Sequence, residues 1–146
     1  MEWMVEKCVE IGIEKFSFVL CQTSERRVIS LDRLEKIAVS AMKQSRQATL
    51  PALEPMVPFD LFIRQQTAPL KFIAHAGGTN PVLLKDLAVP GAACVILIGP
   101  EGDFNSRELA AATSAGFQKV SLGPNRLRTE TAGLAAVFTL NLVNQK

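Results

Sequence analysis

The chain has little of the material from which metal centres, disulfide scaffolds and membrane spans are made. His75 is the only histidine in 146 residues, which argues strongly against a metal site. The cysteines, Cys8, Cys21 and Cys94, are odd in number, far apart and set among apolar residues. That pattern predicts reduced core thiols in a cytosolic protein rather than a disulfide framework or a zinc site. The longest apolar runs, such as "ACVILI", fall far short of the roughly 20 residues a membrane helix needs. The opening "MEWMVEKCVEIG" mixes acids with apolar residues and shows no small-residue cleavage site, so it does not read as a signal peptide. Net charge is only +2, so a nucleic-acid partner would have to be met by a local basic patch. A glycine-rich phosphate loop with a lysine is also missing, which disfavours a doubly wound nucleotide-binding domain.

What is present is an ordinary globular balance, 48% apolar and 21% charged, in a length that suits one domain with a sizeable core. "EWMVEKCVEIGI" has apolar residues at helical spacing (Met4, Cys8, Ile11) and a stop at Gly12. "KFSFVLC" reads as a strand and "SERR" as a polar turn. "LDRLEKIAVSAMKQS" is an amphipathic helix with Leu31, Leu34, Ile37, Ala38, Ala41 and Met42 on one face. "LPALEPMVP" carries three prolines and is expected to be an irregular connection. "FDLFIRQ" is a weak apolar segment. Thereafter strands ("LKFIA", "ACVILI", "KVSL") alternate with helices ("PVLLKDL", "SRELAAATSAG", "TETAGLAAVFTLNLVNQ"), which predicts an α/β domain with a mostly parallel sheet flanked by helices. Asn105 and Glu108 have the spacing of a capping box.

One echo stands out. "LIGPEGDF" and "SLGPNRLR" each run from an apolar strand through Gly-Pro into a polar loop and then a helix. In a parallel sheet both loops leave the carboxyl edge, where open α/β sheets bind ligands. Two tight turns would explain either loop singly; on one edge they favour a pocket. Acids in the first loop, Glu101 and Asp103, would repel a phosphate and so argue for a different ligand or none.

"IGPEGDFNSRE" followed by "LGPNRLRTETA" resembles the paired loops of the ribosomal small subunit methyltransferase E family, the 16S ribosomal RNA uracil-N3-methyltransferases of the SPOUT superfamily. "EKCVEIGIEKFSFVLCQTSER" and "AMKQSRQATLP" are similar to the same family, so the resemblance covers nearly the whole chain. It implies a SPOUT methyltransferase fold over residues 1–146 with a carboxyl-terminal trefoil knot, an S-adenosylmethionine site in the knotted loops, and a homodimer acting on small-subunit ribosomal RNA. It also implies that the small PUA-like β-barrel with which family members normally begin is not part of this chain. Carried over by position, the first loop would be Gly99, Pro100, Glu101 and Gly102 and the second Leu122, Gly123, Leu127, Arg128, Glu130, Thr131 and Ala132, all but Glu130 implied as cofactor contacts. Ala74, His75 and Ala76 are similar to a strand end that borders it. The family's loop ends Gly-Pro-Glu-Gly-Gly, so Asp103 replaces a glycine and removes backbone freedom. Asn125-Arg126-Leu127-Arg128 replaces Arg-Ile-Leu-Arg, and "QSRQ" displaces Arg46 from the expected arginine position.

A sulfonium cation tolerates nearby carboxylates, which fits Glu101, although Glu101 could equally hold its loop by accepting backbone N–H bonds. Leu97, Leu122 and Leu127 are expected as apolar walls for an adenine. Methyl transfer to uracil N3 needs positioning and a stabiliser for the developing anion. Arg128 is the first candidate for that stabiliser and Arg126 the second. Glu130 is either an orienting partner for Arg128, a proton acceptor, or an acid favoured in the first turn of the last helix. Arg26, Arg27, Arg33, Lys36, Lys43 and Arg46, with the loop arginines, are the candidate RNA patch, although such charges are more often simply solvated. The competing reading is a non-catalytic RNA-binding or dimerisation module on the same fold, which would need no S-adenosylmethionine.

Overall fold

The computed structural model of the chain describes residues 1–75 and 81–145. Helix α1 (Glu2–Ile11) buries Val5, Cys8 and Val9, one stripe at helical spacing. It ends where Gly12 turns left-handed, φ 116°, and returns its N–H to the Cys8 carbonyl. Strand β1 (Lys15–Leu20) turns Phe16 and Phe18 toward that stripe. Helix α2 (Leu31–Gln44) starts at Ser30, whose hydroxyl accepts the Arg33 N–H, and lays Leu34, Ala38 and Ala41 on the same cluster.

The proline-rich stretch is not irregular. Ala52–Pro58 forms strand β2, parallel to β1 from Lys15↔Ala52 to Leu20↔Pro58. Proline is tolerated for two reasons. β2 pairs on one side only, and the register slips between Ser17 and Val19, so Pro55 has no ladder partner to disappoint. Pro58 is the last strand residue, and the weak apolar segment after it is helix α3 (Phe59–Gln65), burying Phe59, Phe62 and Ile63.

The second half is built around β3 (Leu70–Ala74), with α4 (Leu84–Leu87), β4 (Cys94–Leu97), α5 (Ser106–Ser114), β5 (Gln118–Val120) and α6 (Thr129–Val143) following. β3 is central: β4 lies parallel on one side and β5 parallel on the other. Among the described residues the parallel strands thus fall in two sheets, of two and three strands. Adjacent residues of β3 face opposite ways. Ile73 and Leu97 pack with Phe62 of α3, Phe104 of the loop before α5 and Ala112 of α5, while Phe72 packs with Leu84 of α4, Val120 of β5 and Ala136 of α6. Phe72 and Ile73 are both 0% exposed, each worth roughly 1.5–3 kcal/mol of apolar burial. Helix α6 also seals α1. Met4 packs against Gly133, where a Cβ would come within 2.7 Å of its sulfur, and Asn141 Nδ2 donates to the Ile11 carbonyl at 2.9 Å.

Glu108 is the single charged side chain among the buried residues described, at 0% exposure. The Asn105 side chain accepts the Glu108 N–H at 2.8 Å while Glu108 Oε1 accepts the Asn105 N–H at 3.0 Å, completing the capping box. Glu108 Oε2 accepts the N–H of Gln22 at 3.0 Å and so ties the end of β1 to the start of α5. Cys8 and Cys21 are buried and Cys94 half-buried, all three unpaired. Burial pushes the Cys8 thiol up to about 11, and burial together with the Glu108 charge pushes Cys21 up to about 12.

Replacing Glu108 by Ala removes a helix cap and strands the Gln22 N–H, so urea unfolding is expected to show a loss of about 3 kcal/mol. At pH 8 a thiol held near 12 is thiolate in only about one molecule in ten thousand. Cys21 should therefore resist a thiol reagent in the folded protein, react promptly in urea, and gain reactivity in the folded state only as pH rises toward that value.

Candidate active site

Because β4 and β5 flank β3, the loops that leave them emerge on either side of the β3 carboxyl end. The crevice between them, about 540 Å³, has the size of a small-molecule site. Its floor is Ala74 and His75 at the end of β3. One wall is the first loop: Ile98, Gly99, Pro100, Glu101 and Asp103. The other is the second loop, including Leu122, Gly123, Leu127, Arg126 and Arg128, with Glu130 and Ala132 from the start of α6. Thr129 joins the walls, its hydroxyl donating to the Gly99 carbonyl at 2.9 Å.

The first loop is held by Asp103. Its N–H closes a tight turn on the Pro100 carbonyl at 2.8 Å. Its φ of 64° is left-handed, a conformation that costs glycine nothing and that aspartate tolerates better than most residues. Oδ1 accepts the Phe104 N–H at 2.7 Å, and the Asp103 carbonyl accepts the Thr23 hydroxyl at 2.6 Å. Gly102 lies against that threonine: a Cβ would stand 2.7 Å from Thr23 Cβ. Asp103 thus performs the loop-holding task considered for Glu101, which is exposed and accepts no backbone N–H among the described residues. In the second loop Ser121 Oγ both donates to the Gly123 carbonyl and accepts its N–H, each at 3.1 Å. Gly123 has φ 134°, and a side chain there would point into open space.

Three expected residues do not line the crevice. Leu97 is 4% exposed and belongs to the core with Phe104 and Ala112; strand alternation puts Ile98 at the ligand wall in its place. Gly102 faces Thr23, and Thr131 is exposed on the far side of the first α6 turn. Ala76 lies outside the described residues. Glu130 makes no ion pair with Arg128 and sits in the first turn of α6, where an acid is favoured by the helix dipole. Arg126 and Arg128 are exposed and have no carboxylate within 4.0 Å among the described residues. Of the other basic residues considered, Arg33 is paired with Glu2 at 2.5 Å, and none lines the crevice.

Charge is therefore divided across the site. Glu101 and Asp103 stand on one wall and Arg126 and Arg128 on the other, with Ile98, Leu122 and Leu127 as apolar surface between them. Such a crevice suits a ligand with a cationic centre and an aromatic ring, and leaves the guanidinium groups free for an electron-rich second molecule.

A family model described as an RNA methyltransferase domain matches residues 1–141. The chain belongs to that RNA methyltransferase family. Its architecture is the α/β arrangement of SPOUT-type methyltransferases. The ribosomal RNA small subunit methyltransferase E of Synechocystis is 31% identical over 150 residues, covering 96% of this chain and 48% of the relative. The crystal structure of a probable rRNA-methyltransferase from Porphyromonas gingivalis superposes with a TM-score of 0.93 at 44% identity, over 99% of this chain and 62% of that one. That of the methyltransferase E from Neisseria gonorrhoeae, bound to S-adenosyl methionine, superposes at 0.85 with 31% identity, over 99% and 61%. This RNA methyltransferase domain thus spans about half to three fifths of the length of the curated relatives it matches.

The contact between Gly102 and Thr23 has a measurable consequence. Gly102→Ala must push the loop off Thr23 and break its bond to Asp103, so the Asp103 amide should exchange at least about tenfold faster. Global stability should fall by only about 1 kcal/mol, since the core is untouched.

Proposed function

We propose that this domain transfers a methyl group from S-adenosylmethionine to N3 of a uridine in 16S ribosomal RNA, working as a homodimer. The observation that carries the reading is the crevice at the β3 end, with acids on one loop and, on the other, two guanidinium groups that have no carboxylate partner among the described residues. The residues fit the cofactor. Ile98, Leu122 and Leu127 supply apolar surface for an adenine, and the backbone edges at Gly99 and Gly123 supply hydrogen-bonding groups. When bound, S-adenosylmethionine supplies an activated methyl group on a sulfonium. Glu101 and Asp103 favour that positive charge in the crevice. Arg128 stands beside the uracil and stabilises its anion as N3 loses its proton, with Arg126 as the second contact. The other expected contacts, Ala74, His75, Pro100 and Ala132, border the same space. A module that only bound RNA would have no use for a crevice with acids on one of its two walls.

The dimer would use α6. Phe138 and Leu142, four residues apart on one stripe, are 55% and 56% exposed, and burying them against a second copy is the usual remedy for such a patch. A trefoil-knotted threading of the two loops, implied by the family resemblance, belongs to the same proposal.

Calorimetric titration with S-adenosylmethionine should give about one site per protomer, with ATP giving no heat; silence with both ligands would sink the reading. Arg128→Ala is expected to lower methyl transfer to small-subunit ribosomal RNA by about 10²–10³-fold while cofactor affinity changes by less than about threefold. Equal loss of both would make Arg128 a part of the loop architecture instead.

A further inference from the structure

Uracil N3 carries a proton that must leave as the methyl arrives, and the function proposed above therefore needs an acceptor. Glu101 and Glu130 are carboxylates, ordinarily weak bases at neutral pH, and Arg126 and Arg128 accept no proton at all. His75 is different. Its backbone N–H is bonded to the Val120 carbonyl at 3.1 Å, which holds the residue's main chain at the end of β3, where it lines the crevice. Nδ1 is buried and without a hydrogen-bond partner among the described residues, and Asp103 Oδ2 lies 3.6 Å from it. Nε2 has no hydrogen-bond partner among the described residues, and His75 lines the crevice.

We propose that His75 is the proton acceptor for uracil N3–H and that Asp103 is the positioning residue that makes it one. This rests on the methyltransferase reading above. A carboxylate beside Nδ1 selects the tautomer with the proton on Nδ1 and leaves Nε2 as a bare acceptor facing the base. The separation of 3.6 Å is longer than a hydrogen bond, and catalytic contacts of this kind tighten when the ligand closes the site. In the step itself the N3–H bond breaks and its proton passes to Nε2. The electron pair left on N3 forms the bond to the methyl carbon as the methyl–sulfur bond breaks toward sulfur. Asp103 stabilises the imidazolium, which then loses its proton to solvent. The replacement of the family's glycine by Asp103 acquires a role in this way. The left-handed backbone that glycine would supply is kept, and a carboxylate is added where it meets the only imidazole in the chain.

Because His75 is the only histidine, the ring nitrogen signals of ¹⁵N-labelled protein need no assignment. The ligand-free protein, above the pH at which imidazole titrates, is expected to show the Nδ1–H tautomer. Asp103→Gly, which suits the left-handed backbone but gives up the Oδ1 bond to the Phe104 N–H, should shift it toward Nε2–H. His75→Asn keeps an N–H donor near Asp103 but removes Nε2. It should slow single-turnover methyl transfer by about 10²–10⁴-fold while S-adenosylmethionine affinity stays within about threefold. An Nε2–H tautomer in the wild type, or a His75→Asn rate within about threefold of it, overturns the proposal. Parallel loss of rate and affinity does too, because it would make His75 a cofactor contact. If the wild-type protein transfers no methyl at all, the functional reading and the acceptor role fall together, and the tautomer measurement still reports on the Asp103–His75 pair separately.

Discussion

The pairing of β3 with β4 on one side and β5 on the other is the constraint from which the site follows. Parallel strands cannot be joined by a tight turn, so the chain must leave β4 and cross by way of α5 to the opposite flank of β3. Both loops then open at the same sheet edge, and the end of β3 becomes the floor between them. A crevice there requires no special feature beyond two short loops that stop short of filling it.

What keeps the loops in place is polar rather than apolar. The core on both faces of β3 fixes where the strands end, but it does not reach the loop backbones. Those are secured by a few bonds across long stretches of sequence: Glu108 to Gln22, Thr23 to Asp103, and Thr129 to Gly99. Each contributes on the order of 1 kcal/mol net, small beside the core. The end of β1, two loops and α6 are thereby joined around the crevice, and the first sheet is coupled to a site it does not line.

Much of this was legible in the residues. Gly12, Ser30 and the Asn105–Glu108 pair mark helix ends by local chemistry that tertiary structure has no reason to override. The repeated Gly-Pro after two apolar runs located the crevice. Where the reading failed, the information was not local. The prolines in Ala52–Pro58 ordinarily forbid a strand, and only its place beside a single neighbour, with a slip in register, permits one. "CVIL" is apolar at every position because its strand is covered on both faces, so nothing in the pattern tells which residues face the core; Leu97 was assigned to the wrong side and Ile98 overlooked. Asp103 was noticed as a lost glycine, but its partners, Thr23 and His75, lie 80 and 28 positions away in sequence and could be found only in space.

The seam between α1 and α6 bears on how the protein is made. Ile11 at the end of the first helix has its carbonyl capped by Asn141, and the Met4 sulfur rests on Gly133. A ribosome adding 5–20 residues per second takes several seconds to travel from one to the other. Through that interval the apolar stripe of α1 has α2 and β1 to lean on but lacks its far wall. The native arrangement is therefore completed only as α6 emerges, and a nascent chain paused before it would carry an uncovered hydrophobic face of the kind that chaperones bind.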